Sequence, residues 1–113
     1  MNIYRLDIPV CSYEDETKVA FDSYYFECEF SPTRHQVIKY FEKQIQDEIE
    51  FSIELEGANE CIKNYQNCIN SIMHCYSWPV LTPSMHSRNT FVDHPSLGKV
   101  SVTLIRIKPT TLE

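Results

Sequence analysis

The chain predicts an α+β fold: a small antiparallel sheet of two to three strands packed against a helical hairpin, in β-β-α-α-β order. Three observations predict it. Apolar residues alternate along residues 4–10, along residues 24–30 and again along residues 99–108, the period of strands with one buried face. Between them, two stretches carry apolar residues at helical spacing, separated by Gly57-Ala58-Asn59. At 113 residues and 42% apolar content the chain has the size and hydrophobic share of one packed core, so residues 1–113 read as a single domain.

In Tyr4-Arg5-Leu6-Asp7-Ile8-Pro9-Val10 the even positions are apolar, and Pro9 marks the strand's end or a sheet edge. Ser12 to Lys18, with Glu14-Asp15-Glu16, reads as a polar turn. The second strand runs through Val19-Ala20-Phe21 and Tyr24 to Phe30, with Tyr24, Phe26, Cys28 and Phe30 on one face. A short polar link makes the two an antiparallel pair. Ser31-Pro32 then predicts a helix start, with serine as N-cap and proline at the first helical position.

Val37, Ile38, Phe41, Ile45 and Ile49 form one apolar face of that first helix. Residues 48–56 present a rival, since Glu-Ile-Glu-Phe-Ser-Ile-Glu-Leu-Glu alternates as a strand does. No turn residue near Gln46 would end a shorter helix, so a continuous helix reaching toward Gly57 is the preferred reading. Cys61, Tyr65, Cys68, Ile72 and Cys75 form the seam of a second helix, suited to a near-antiparallel neighbour. Trp78-Pro79 ends it, and Ser77 to Gly98 reads as a long loop. The last strand is Lys99 to Lys108, with Val100, Val102 and Leu104 on one face and Pro109 as its stop. Residues 111–113 are set aside as a disordered or cloning-derived tail. The expected core is Leu6, Ile8, Phe26, Cys28, Phe30, Ile38, Phe41, Ile45, Tyr65, Cys68, Ile72, Val102 and Leu104.

Several function classes drop out. No apolar run approaches the eighteen residues of a spanning helix, and Arg5 and Asp7 interrupt any secretory stretch, so a cytoplasmic location is expected. Five cysteines without a leader read as reduced thiols. Cys61, Cys68 and Cys75 recur every seven residues, about 10.5 Å along a helix, too far for a disulfide or one zinc ion. His35, His74, His86 and His94 lack close ligand pairs, and two glycines cannot build a phosphate-binding loop. Cys28 with His35, or Cys75 with His94 and Asp93, sits in no nucleophile signature. No catalytic residue, metal or cofactor is expected.

Charge is the informative feature. Of the 16 acids and 10 bases, seven acids (Glu42, Asp47, Glu48, Glu50, Glu54, Glu56, Glu60) and one base (Lys43) fall between positions 42 and 60, giving that segment the whole net charge of −6. Such a field repels nucleic acid and anionic membrane and attracts a protein partner with a basic surface. Asp47, Glu50 and Glu54 share one helix face and, with Tyr24 and Tyr25 as aromatic anchors, form the expected partner-binding set. The reading is a non-enzymatic, acidic protein-binding module: an inhibitor, immunity protein or phage anti-defence protein that covers a nucleic-acid-binding surface of its partner. One alternative is an assembly protein forming a homo-oligomer, a dimer for instance, through its helical seam or a strand edge. Another is a metal- or thiol-dependent activity centred on Cys75, His86 and His94.

Overall fold

A computed structural model describes residues 2–11, 18–51, 58–94 and 97–107. The element order is β1 (Asn2–Cys11), β2 (Val19–Cys28), α1 (Arg34–Phe51), α2 (Ala58–Met73), β3 (Ser87–His94) and β4 (Gly98–Ile107). The class is α+β as the periodicities predict, with one strand more than expected. The four strands form an antiparallel sheet in the order β2-β1-β4-β3. The order of elements is therefore β-β-α-α-β-β.

β1 owes its central place to its alternation. Tyr4, Leu6, Ile8 and Val10 are buried, and Leu6 lies opposite both Tyr24 of β2 and Leu104 of β4. Pro9 lies past the pairing with β4, which ends at Asp7, so at that position β1 has a neighbour on one side only. β4 supplies Val102 and Leu104 to the same layer, and β3 adds Thr90 and Val92. From above, Val37 and Phe41 of α1 and Cys68 and Ile72 of α2 close the core. Phe41 is its aromatic centre: its ring meets Tyr24 edge-on at 4.8 Å, Tyr40 at 5.4 Å and Tyr65 at 6.0 Å.

Several expectations are corrected. The predicted loop from Ser77 to Gly98 contains β3, paired with β4 from Ser87 to His94. The N-cap of α1 is Thr33, not Ser31: the Gln36 amide donates to Thr33 Oγ1 at 3.1 Å, and the Thr33 amide donates back to Gln36 Oε1 at 2.9 Å. Ser31 Oγ instead accepts the Leu81 amide at 3.1 Å, tying down the segment after α2. Glu48 to Phe51 are helical, which removes the strand alternative there, while positions 52–56 lie outside the described residues. Phe30, expected in the core, is 77% exposed because β2 has ended at Cys28. Ile49, expected on α1's buried face, is 42% exposed.

α2 stops at Met73, well before Trp78-Pro79. Cys75 is therefore not on its seam; it makes an isolated bridge to Val92 instead. The Tyr76 amide then donates to the Phe91 carbonyl at 3.3 Å. Trp78 ends the crossing by donating its indole N–H to the Pro32 carbonyl at 2.8 Å. Beyond it, Arg106 of β4 grips the turn before β3. Its guanidinium donates to the carbonyls of Thr82 (3.0 Å), Pro83 (3.0 Å) and Met85 (2.9 Å). Its planar fork suits such multiple acceptance.

Candidate functional site

Helices cover one face of the sheet, and among the described residues nothing packs on the other. On β2 the alternation of side chains sends Tyr24 and Phe26 toward the helices and Val19, Phe21 and Tyr25 to the open face, where they are 41%, 56% and 59% exposed. Phe91 of β3 joins that face, its ring under the Lys99 ammonium at 4.5 Å. At its middle, Ser23 donates to Asp7 at 2.6 Å and Arg5 pairs with Asp7 at 3.2 Å. The open face is thus apolar along much of its β2 border, and at its centre the polar Arg5, Asp7 and Ser23 lie beside Ile3, Ile105 and Ile107.

This geometry separates the expected partner-binding residues. Tyr24 is not a surface anchor: its ring sits between Tyr40 and Phe41. Burial, first of all, and the neighbouring Cys68 push its hydroxyl well above the usual tyrosine range, so it stays a donor. It lies 3.6 Å from Cys68 Sγ and reaches Asp22 at 3.4 Å, where Asn64 also donates at 2.9 Å. Tyr25 is exposed, on the side of the sheet away from the helices. Asp47 and Glu50 lie on α1, Asp47 half-buried and Glu50 exposed, and Glu54 lies outside the described residues. The two described acids and Tyr25 therefore stand on different sides of the molecule.

Three of the four acids of α1, Asp47, Glu48 and Glu50, lie in its C-terminal half. Glu42, Asp47, Glu48 and Glu50 follow a first turn without acids, and the last turn contains no base. None of the four forms an ion pair among the described residues, Lys43 with Asp47 included. Among the described residues, Glu50 accepts only from the uncharged Gln46, at 2.9 Å. Glu48 faces α2, where its charge adds to burial in raising Tyr65.

The alternative centred on Cys75, His86 and His94 does not assemble. His86 immediately precedes β3 and His94 ends it, on the order of 25 Å of extended chain apart. No group of three potential ligands that could hold a metal ion occurs among the described residues. Cys75 is 6% exposed and donates to the Ser71 carbonyl at 3.5 Å. Burial raises the Cys68 and Cys75 thiols to about 11 each, with Tyr24 opposing the rise at Cys68 and Arg34 at Cys75. At pH 8 only about a thousandth of either would be thiolate. Iodoacetamide at that pH is expected to label exposed Cys61 first and to leave Cys68 and Cys75 unlabelled until the protein unfolds, as peptide mass mapping would show. Rapid labelling of Cys75 in the folded protein would contradict this.

A cleft of about 480 Å³ opens between the start of β1, the end of β4 and the segment after α2, lined by Tyr4, Phe30, Val80, Leu81 and Arg106 among others. Both terminal nitrogens of Arg106 are already committed to backbone carbonyls. The cleft therefore offers no uncommitted terminal guanidinium nitrogen at its base.

The apolar open face is the feature that sequence reading missed. Its signal was present: β2 carries apolar or aromatic side chains at odd positions (Val19, Phe21, Tyr25) as well as even ones, unusual for a strand with one wet face. No described helix is long and apolar enough to cross a membrane, a statement that does not extend to membrane-spanning strands. Compared with protein-family models, curated proteins and solved structures, the chain has no match in any of the three.

Proposed function

We propose that the chain is a non-enzymatic protein-binding module that presents the acidic half of α1 and the segment after it to a basic surface of its partner. An inhibitor, immunity or anti-defence protein would use such a face to occupy a nucleic-acid-binding surface. The observation that supports the reading is that Glu48 and Glu50 occupy the last turn of α1, at the negative end of its own dipole and next to Asp47, with no base in that turn. These two carboxylates oppose the macrodipole, at a cost of about 0.3–1 kcal/mol each. A local arrangement that works against stability is where a binding role is first sought.

The test is charge reversal. Copurification from the native host identifies the bound protein, and surface plasmon resonance then compares wild type with the triple variant Asp47→Lys, Glu50→Lys and Glu54→Lys. Association is expected to slow about tenfold, with dissociation changed less, since exposed charges act mainly through steering. Raising salt to about 1 M should reproduce part of the loss in the wild type and little in the variant, because screening shortens from about 8 Å to about 3 Å. Unchanged association and unchanged salt dependence would reduce the acids to a solvated helix back.

A further inference from the structure

We propose that β2 pairs with β2 of a second copy, antiparallel and with Ser23 on the two-fold axis, so that the two sheets join into one continuous sheet. This is separate from the acidic face and does not depend on it.

The two edges of the sheet differ. β3 is an edge strand whose outer side is partly occupied: Cys75 bridges Val92, and the Tyr76 amide bonds the Phe91 carbonyl. β2 has no such cover among the described residues. It pairs with β1 without a break from Val19 to Cys28, so no bulge twists its outer edge away. Its sequence, Val-Ala-Phe-Asp-Ser-Tyr-Tyr-Phe-Glu-Cys, contains neither proline nor lysine, and of its two acids Asp22 is engaged by Asn64 of α2, which leaves Glu27 as its one exposed charge. A ten-residue, aromatic, regular edge is a template for another strand.

The occupant follows from the residues of β2 themselves. Residues opposed in an antiparallel pair lie on the same face, so a symmetric pairing must place one residue opposite its own copy. With Ser23 in that place, Phe21 of each copy opposes Tyr25 of the other on the open face, and Ala20 opposes Phe26 on the helix face. Val19 then opposes Glu27 and Asp22 opposes Tyr24, so no like charges meet. Sliding one way sets Asp22 against Asp22. Sliding the other way sets Phe21 against Glu27 and Asp22 against Phe26. The Ser23 register stacks two Phe21–Tyr25 pairs on the open face, while Tyr24 and Phe26 keep their ring contacts with α1, and aromatic cross-strand pairs are stabilising. It would cover side chains that are 56% and 59% exposed in the single chain.

Sedimentation velocity across a concentration series from about 5 to about 500 μM, a range suited to a small interface, reads the result. The wild type should reach twice the 13.3 kDa chain mass. Phe21→Lys should raise the dimer Kd at least about tenfold, because the symmetry breaks the pair twice. Phe91→Lys, on the same face but at the far edge, should leave it unchanged. Circular dichroism confirms that each variant is folded. Should Phe21→Lys fail to fold, Ser23→Cys gives an independent readout, since oxidation should link the copies through the two introduced thiols and peptide mapping should find that bond. A wild type that stays monomeric throughout would overturn the proposal. So would a dimer in which Phe91→Lys is the damaging change, or one in which the introduced thiols form no cross-link.

Discussion

Replacing Phe41 with alanine is expected to cost about 3–5 kcal/mol, the range for truncating a buried aromatic. Its ring is fully buried and stands among Tyr24, Tyr40 and Tyr65, which belong to β2, α1 and α2. The loss is therefore more than transfer of one side chain to water. Three neighbouring rings lose an edge-on or tilted partner, and each such pairing adds about 0.5–1.5 kcal/mol beyond its buried area. Tyr24 is also held by Asp22 and Cys68, which limits its collapse into the hole. For a domain stabilised by about 5–15 kcal/mol this is a large share. Urea unfolding followed by circular dichroism should show a much lower midpoint, and the thermal midpoint should fall on the order of 20 °C. Phe41→Leu, which keeps most of the volume, should lose well under half as much. A loss below about 1 kcal/mol for the alanine variant would mean that α1 and α2 are not locked to β2 through this ring.

β1 was legible because Tyr4, Leu6, Ile8 and Val10 obey strict alternation, and all four are buried. Val102 and Leu104 announced β4 in the same way. β3 was not legible. Its inward positions include Thr90, whose hydroxyl hides a core contact, and its most apolar pair, Phe91-Val92, is adjacent rather than alternate. Prolines on either side made the region look like a loop. The start of α1 was misplaced because Ser31-Pro32 is a familiar opening, although Thr33-Arg34-His35-Gln36 held the stronger reciprocal signal. Cys75 fitted a seven-residue rhythm by composition alone; the backbone had already left the helix at Met73. At the candidate site the position of the acids on α1 could be read from spacing. The separation of Tyr24 from Tyr25 could have been read too, since neighbours on a strand point to opposite faces.

Removing the Arg106 guanidinium should give the second large effect, about 2–3 kcal/mol for Arg106→Met. A charged donor's bond contributes about 1.5–3 kcal/mol when buried, and here three carbonyl bonds are partly exposed, so their sum must be discounted. Methionine retains contact with the Tyr4 ring, over which the guanidinium sits at 5.7 Å, and so isolates the hydrogen bonds. Arg106→Lys should recover less than half, because one ammonium cannot span the carbonyls of Thr82, Pro83 and Met85. Amide exchange is the discriminating measurement. The Met85 amide, bonded to the Thr82 carbonyl at 3.0 Å, should exchange faster in Arg106→Met, while amides in the middle of α2 keep pace with global stability. Unchanged protection at Met85 would show that the turn holds itself without Arg106.

The strand order has a consequence for how the chain becomes a folded protein. β1 and β4 are neighbours at the centre of the sheet, with Ile3 opposite Ile107, although almost the whole sequence separates them. A chain growing from its N-terminus can form the β1–β2 hairpin and both helices early, since those contacts are local. Yet the second side of β1 has no strand to bond until residues 98–107 have been synthesised and have left the ribosome. Until then Leu6 lacks Leu104, its opposite residue on β4, and the sheet is unfinished on that side. Addition of β4, which brings β3 as its hairpin partner, completes the sheet on the second side of β1.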